Sequence, residues 1–233
     1  MEAIILAGGL GTRLRSVISE LPKPMAPVGG KPFLAYLLQY LGRERVDKVI
    51  LATGYLHEKV KDYFQHSYLG IEIDYSREIE PLGTGGAIQK ALAKVEEKKV
   101  VVLNGDTYFD VNIVDLVQKH SALQADVTLA LKTLTDYDRY GNVLTQEDKI
   151  IGFASKGLRT SGTINGGIYV LQRNLFKRFQ LPQKFGFEDF LMNYVNELAL
   201  AAVVSDAYFI DIGVPEDYRK AQNELVLSGG DNE

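Results

Sequence analysis

Three observations predict a doubly wound α/β fold for this chain. Short, β-branched apolar runs recur through its first half, helical periodicities fit between them, and a glycine-rich segment follows directly on the first run. The strand candidates are residues 3–7, 48–52, 71–75, 100–103 and 127–131. The first four have the composition of parallel strands buried on both faces. Between them, residues 33–41 carry apolar side chains at helical spacing, residues 56–64 do so after Gly54, and residues 84–95 start from a Gly83-Thr84 cap. In such a sheet, ligands collect at the carboxyl ends of the strands.

The second half changes character. Residues 142–145, 150–153 and 163–171 read as short strands separated by turn residues, forming a lid or substrate-binding extension on the same sheet. A helix over 188–196, a strand over 208–211 and a helix over 215–227 close the fold, and the polar, glycine-rich tail 228–233 is expected to fray. The expectation is one domain over 1–227, its halves dividing near residue 132.

Composition narrows the function. With 233 residues, 46% of them hydrophobic and 24% charged, the chain has the make-up of a globular enzyme. A net charge of −4 and the lack of any basic block argue against a nucleic-acid partner. There is no cysteine, which excludes disulfides, thiolate nucleophiles and cysteine metal sites. His57, His66 and His120 show no ligand spacing and are expected at surface or cap positions. No apolar run approaches the ~20 residues that span a bilayer, and the chain opens straight into a strand with no signal peptide. No membrane partner and a cytoplasmic location are therefore expected; a homo-oligomer is left open.

The run Leu6-Ala7-Gly8-Gly9-Leu10-Gly11-Thr12-Arg13-Leu14, followed by Pro22-Lys23-Pro24-Met25, reads as a phosphate cradle. Glycines after a strand let the backbone approach a ligand and aim N–H groups at anionic oxygens, and Arg13 and Lys23 add positive charge. Two common glycine motifs fail on spacing. A dinucleotide fingerprint would need glycine where Leu14 stands, and the only Gly-Lys pair, Gly30-Lys31, runs into Pro32 instead of serine or threonine. Two carboxylates belong with the cradle. Asp106 ends the apolar run 100–103 through Asn104-Gly105, and Asp211 ends Tyr208-Phe209-Ile210. Oxygen ligands from two strand ends suit magnesium, although each aspartate could equally cap a turn or helix.

At this point the chain resembles the sugar-1-phosphate nucleotidyltransferase family. The resemblance is carried by the glycine run, by Pro22-Lys23-Pro24-Met25-Ala26-Pro27-Val28 with Lys31-Pro32, by Glu80-Pro81-Leu82-Gly83-Thr84-Gly85-Gly86-Ala87, by Asn104-Gly105-Asp106, by Asn165-Gly166-Gly167-Ile168-Tyr169, and by Asp211-Ile212-Gly213-Val214-Pro215. It implies a Rossmann-like mixed sheet of the nucleotide-diphospho-sugar transferase type, joining a nucleoside triphosphate to a sugar 1-phosphate with release of pyrophosphate. It implies further that Leu6, Ala7, Gly8, Gly9, Gly11, Thr12, Gly83 and Thr84 hold the nucleotide, with Arg13 and Lys23 as the catalytic cations. Asp106 and Asp211 would bind Mg2+, and Asn104, Gly141, Lys156, Asn165 and Glu188 would touch the sugar. A sugar phosphate is already anionic near neutral pH, so positioning and charge neutralisation suffice and no general base is needed.

Glu78 stands where, by analogy, the family reads the base. A carboxylate only accepts hydrogen bonds, which matches guanine's N1–H and N2–H₂ and repels the carbonyls of thymine or uracil, so GTP is expected; Glu80 is the alternative reader. Ser155 replaces a common glutamate, and residues 16–21 are most similar to the branch acting on D-glycero-D-manno-heptose 1-phosphate with GTP. A mannose-1-phosphate guanylyltransferase, an amino-sugar-1-phosphate uridylyltransferase and a non-catalytic nucleotide-binding subunit are the alternatives.

Overall fold

The computed structural model describes residues 1–9 and 21–228. Gly11, Thr12 and Arg13 of the predicted cradle, residues 16–20 and the tail from 229 onward lie outside the described residues.

In chain order the elements are β1 (Glu2–Leu6), a 3₁₀ turn at Lys23–Met25, β2 (Pro27–Val28), β3 (Lys31–Pro32), α1 (Phe33–Arg43), β4 (Lys48–Thr53), α2 (His57–Phe64), β5 (Ser67–Tyr68), β6 (Ile71–Arg77) and α3 (Gly83–Ala91). There follow β7 (Lys99–Asn104), β8 (Thr107–Phe109), α4 (Ile113–Ala122), β9 (Val127–Tyr137), β10 (Asn142–Gln146), β11 (Lys149–Ala154), β12 (Arg159–Gln172), α5 (Phe187–Asn193), β13 (Leu200–Ser205), β14 (Phe209–Asp211) and α6 (Pro215–Ser228).

Ten strands form one sheet in the order β10-β11-β13-β9-β12-β7-β1-β4-β6-β5. Its centre, β7-β1-β4-β6, is parallel, as the short β-branched runs predict. β12 enters antiparallel to both β7 and β9, which makes the sheet mixed. Successive residues of β1 face opposite cores: Ala3 and Ile5 pack with α1, α2, α4 and α6, whereas Ile4 packs with α3 and α5. Helices on both faces bury the sheet, so each strand can be apolar throughout. α1 buries eight side chains, among them Phe33, Leu37 and Tyr40. At α5, Phe187 and Phe190 are nearly fully buried, each worth roughly 2–3 kcal/mol of apolar burial.

Several expectations need correction. β13 and β8 carry no prediction at all, and β9 and β12 outrun the segments assigned to them. The helix expected over 84–95 ends at Ala91, followed by a 3₁₀ turn. Its N-cap is Leu82 with no side-chain cap bond, so the Gly-Thr cap is absent. His66 is exposed, while His57, the first residue of α2, and His120, in the last turn of α4, stand at helix ends as expected but are buried. Each is admitted to the core because a neighbouring hydroxyl satisfies its ring: Thr53 Oγ1 lies 2.7 Å from His57 Nδ1, and Thr128 Oγ1 lies 2.9 Å from His120 Nδ1. Among the described residues, no helix is long and apolar enough to cross a membrane.

Candidate active site

The register of the parallel strands builds the site. Leu6 pairs with Ala52 on one side and Asn104 on the other, and Thr53 pairs with Arg77. The carboxyl ends of β7, β1, β4 and β6 therefore finish level, and the segments beyond them, Asn104 to Asp106, Ala7 to Gly9, Gly54 to Tyr55 and Glu78 to Glu80, face one another. They enclose a cavity of about 780 Å3, into which Leu6, Gly8, Gly9, Lys23, Glu78, Gly83, Thr84, Asn104 and Asp106 all open. Backbone bonds lock the rim: Ala7 N–H donates to Ala52 O at 2.7 Å, and Gly105 N–H to Leu6 O at 3.0 Å. Ala7 is fully buried and does not line the cavity.

Lys23 and Asp106 of the cavity lining belong to a charge cluster with Asp211. Lys23 Nζ donates to Asp106 Oδ2 at 2.5 Å and stands 3.9 Å from Asp211 Oδ1, with only 13% of its side chain exposed. A two-stranded ribbon brings the aspartates together. β14 pairs antiparallel with β8, setting Asp211 opposite Thr107, next to Asp106, and Ile212 N–H donates to Asp106 O at 2.9 Å. Asp211 is also tied by Gly213 N–H to Oδ1 at 2.7 Å, a bond that closes the turn before α6 and is not the helix cap weighed against a metal role. Burial, then the charge of Asp106, raise the Asp211 pKa, and the charge of Lys23 opposes them.

Glu78 is half-buried at the mouth. Its Oε2 accepts from Leu82 N–H at 2.8 Å, and Oε1 lies 2.7 Å from where a Cβ on Gly8 would stand, so a side chain at position 8 would push the carboxylate aside. Burial raises its pKa; the Leu82 amide and Lys90 oppose the rise. Glu80 also lines the cavity and is exposed.

A second polar group lies on the β12 side. A bulge in the β12–β9 register falls between Asn165 and Tyr169. Asn165 Nδ2 donates to Glu188 Oε1 and to the Tyr169 hydroxyl, both at 2.8 Å, and Asn165 Oδ1 accepts from Gly167 N–H at 3.0 Å. Asn104 lies against Gly167, which joins this group to the cavity. Lys156 is exposed in the loop between β11 and β12 and makes no hydrogen bond or ion pair among the described residues. Gly141 sits just before β10, where a Cβ would stand 3.0 Å from Ala154 O.

Some contributors escape the sequence reading. Tyr55, Arg77 and Ile79 line the mouth, and the strand-end rule that finds Gly8 would have found them. Tyr140, which stands beside Gly141 where the resemblance places a sugar contact, donates to Asp211 Oδ2 at 3.4 Å, with the Arg139 guanidinium over its ring and paired to Asp217 at 2.7 Å.

A doubly wound sheet with a glycine segment, a lysine and two aspartates converging at its carboxyl edge defines a protein that handles phosphorylated ligands. The profile of the Nucleotidyl transferase family matches residues 2–227, and the chain belongs to that family. The chain is 53% identical to the D-glycero-alpha-D-manno-heptose 1-phosphate guanylyltransferase of Aneurinibacillus thermoaerophilus, over 97% of this chain and 98% of that protein. It is 49% identical to the enzyme of the same name from Campylobacter jejuni, over 94% of this chain and 97% of that one. Among solved structures, that of HddC from Yersinia pseudotuberculosis complexed with GMP-PN superimposes with a TM-score of 0.85 at 36% identity, covering 96% of this chain and 99% of the other.

Proposed function

We propose that the chain joins GTP to D-glycero-α-D-manno-heptose 1-phosphate, giving the GDP-sugar and pyrophosphate. The observation that carries a phosphoryl-transfer reading is Lys23 held against Asp106 and Asp211, with Lys23 and Asp106 lining the same cavity as Gly8 and Gly9. The choice of substrates is supported by the two near-full-length relatives and by the Glu78 carboxylate at the mouth.

In this reading a phosphate oxygen of the sugar phosphate attacks the α-phosphorus, a new P–O bond forms, the α–β bridge breaks and pyrophosphate departs. Lys23 stabilises the negative charge that redistributes on the α-phosphoryl oxygens. The backbone of Leu6, Gly8 and Gly9 positions the nucleotide, and Gly11, Thr12 and Arg13 of the same sequence run are assigned to it as well. Glu78 accepts from the guanine edge, and Gly83 borders it. Asn104, Gly141, Lys156, Asn165 and Glu188 form the sugar side, where an amide held between a carboxylate and a tyrosine hydroxyl offers both donor and acceptor to sugar hydroxyls. In this division residues 1–132 serve the nucleotide and 133–227 the sugar.

Asp106 and Asp211 fit a magnesium ion. The donors are all oxygen, and Asp211 bears the strain of a second nearby carboxylate that Lys23 only partly offsets. When bound there, the cation would supply further neutralisation of phosphate charge.

Pyrophosphate release from a matrix of nucleoside triphosphates against sugar 1-phosphates tests the reading. The GTP and heptose 1-phosphate combination is expected to have the highest kcat/KM. A maximum with UTP or dTTP overturns the base argument, and a maximum with mannose 1-phosphate overturns the heptose assignment.

A further inference from the structure

The glycine-rich start of α3 is packed tightly by a neighbouring loop of the same chain. A Cβ on Gly83, where φ is +72°, would stand 2.5 Å from Phe185 O, and one on Gly85 would stand 2.2 Å from the Phe185 ring. The amide of Gly85 donates to Phe185 O at 3.0 Å, and Phe185 N–H donates to Leu82 O at 3.0 Å. Phe187 N–H then donates to Thr84 Oγ1 at 2.8 Å. Phe187 is the first residue of α5, whose N-cap is Gly186 and offers no side chain to the helix's unsatisfied amides. Two helices on different halves thus cap each other: Phe185 supplies a carbonyl to α3, and Thr84 supplies a hydroxyl oxygen to α5.

The consequence follows from what stands at each end. Leu82 N–H holds Glu78 Oε2, and Glu188, directly after Phe187, accepts from Asn165. A hydrogen-bonded path therefore runs from Glu78 through Leu82, Phe185 and the Thr84–Phe187 bond to Glu188 and Asn165.

We propose that Thr84 is a positioning residue for the sugar side, fixing Glu188 through the capped amide of Phe187. The proposal rests on the reading of Glu188 as a sugar contact. It requires the oxygen of residue 84 and not merely its shape. Serine keeps that oxygen. Valine keeps the shape and loses the acceptor.

The test compares Thr84→Val, Thr84→Ser and the wild type by steady-state kinetics with GTP and heptose 1-phosphate, together with amide hydrogen exchange at Phe187. Thr84→Val is expected to raise KM for the sugar phosphate roughly five- to tenfold, the equivalent of a lost cap, with KM for GTP within about twofold. Exchange at Phe187 is expected to quicken in the Val variant, and Thr84→Ser to restore both values. A rise confined to KM for GTP, an unchanged sugar KM, or a Ser variant as impaired as the Val variant overturns the proposal. If Thr84→Val does not fold, Thr84→Ala, which leaves space instead of a misplaced methyl, carries the same comparison. A wild type that does not turn over heptose 1-phosphate would count against the functional reading alone, because the exchange comparison still decides whether Thr84 caps α5.

Discussion

Replacing Glu78 by glutamine tests the proposed base-reading group with the least change of shape. In the structure Oε2 is taken by the Leu82 amide at 2.8 Å, and Oε1 sits over Gly8. A glutamine can keep the Leu82 bond through its carbonyl oxygen, which turns its NH₂ to the position of Oε1. One acceptor facing the base then becomes a donor. Because a single oxygen faces the base, the loss expected is one charge-assisted hydrogen bond, about 1.5–3 kcal/mol, or roughly ten- to hundredfold in kcat/KM for GTP. The same NH₂ can donate to a pyrimidine carbonyl, so kcat/KM for UTP or dTTP is expected to hold or rise, and the GTP-to-UTP ratio falls by at least as much. The assay is pyrophosphate release with each nucleotide at a fixed sugar 1-phosphate concentration. A ratio unmoved by Glu78→Gln, or one that moves only with Glu80→Gln, would refute the reasoning and pass the role to Glu80.

Further outcomes are expected at the charge cluster and in the core. Asp106→Ala and Asp211→Ala should each abolish turnover while the circular dichroism spectrum is kept; near-wild-type pyrophosphate release at subsaturating magnesium from either would remove that residue from the metal site. Lys23→Ala should lower kcat roughly a hundredfold, about 3 kcal/mol, with a smaller change in GTP binding, and a loss confined to KM would make Lys23 a ground-state contact only. Burial pushes the His120 pKa down to about 4 from an ordinary 6.5, so the unfolded chain takes up a proton first as pH falls. Stability is then lost between pH 6.5 and 4, by about 3 kcal/mol in all, and not further below; the stability gap between wild type and His120→Gln in urea should shrink by about 2 kcal/mol from pH 7.5 to pH 5, and a constant gap would show that His120 does not stay neutral.

The parallel centre was legible because each of its strands is apolar enough to stand out alone and carries its ligand-facing residues at its carboxyl end. The ribbon that seats the two aspartates was not. β8 is three residues, Thr107-Tyr108-Phe109, too short for any periodicity, and its partner β14 lies far along the chain, so only the folded register shows that Asp211 stands opposite Thr107. β13, Leu200–Ser205, was missed for a different reason: its apolar residues follow a short helix without a turn signal strong enough to separate them. The burial of His57 and His120 was not legible because a lone ring is ordinarily solvated, and nothing local announces that Thr53 and Thr128 will meet them in the core.

Glycine was the most informative residue of this sequence and also the one most easily over-read. A glycine after a strand reports that something approaches the backbone closely, not what approaches. At Gly8 the close neighbour is the carboxylate of Glu78, which places that glycine inside the cavity that the strand ends enclose. At Gly85 it is the phenyl ring of Phe185, and the glycines there let the two halves of the domain lock together. The two uses are indistinguishable along the chain, because both demand a missing Cβ. They separate in the fold: Gly8 and Gly9 line the cavity, whereas the amide of Gly85 is already taken by Phe185 O, so that glycine serves the packing of the chain against itself.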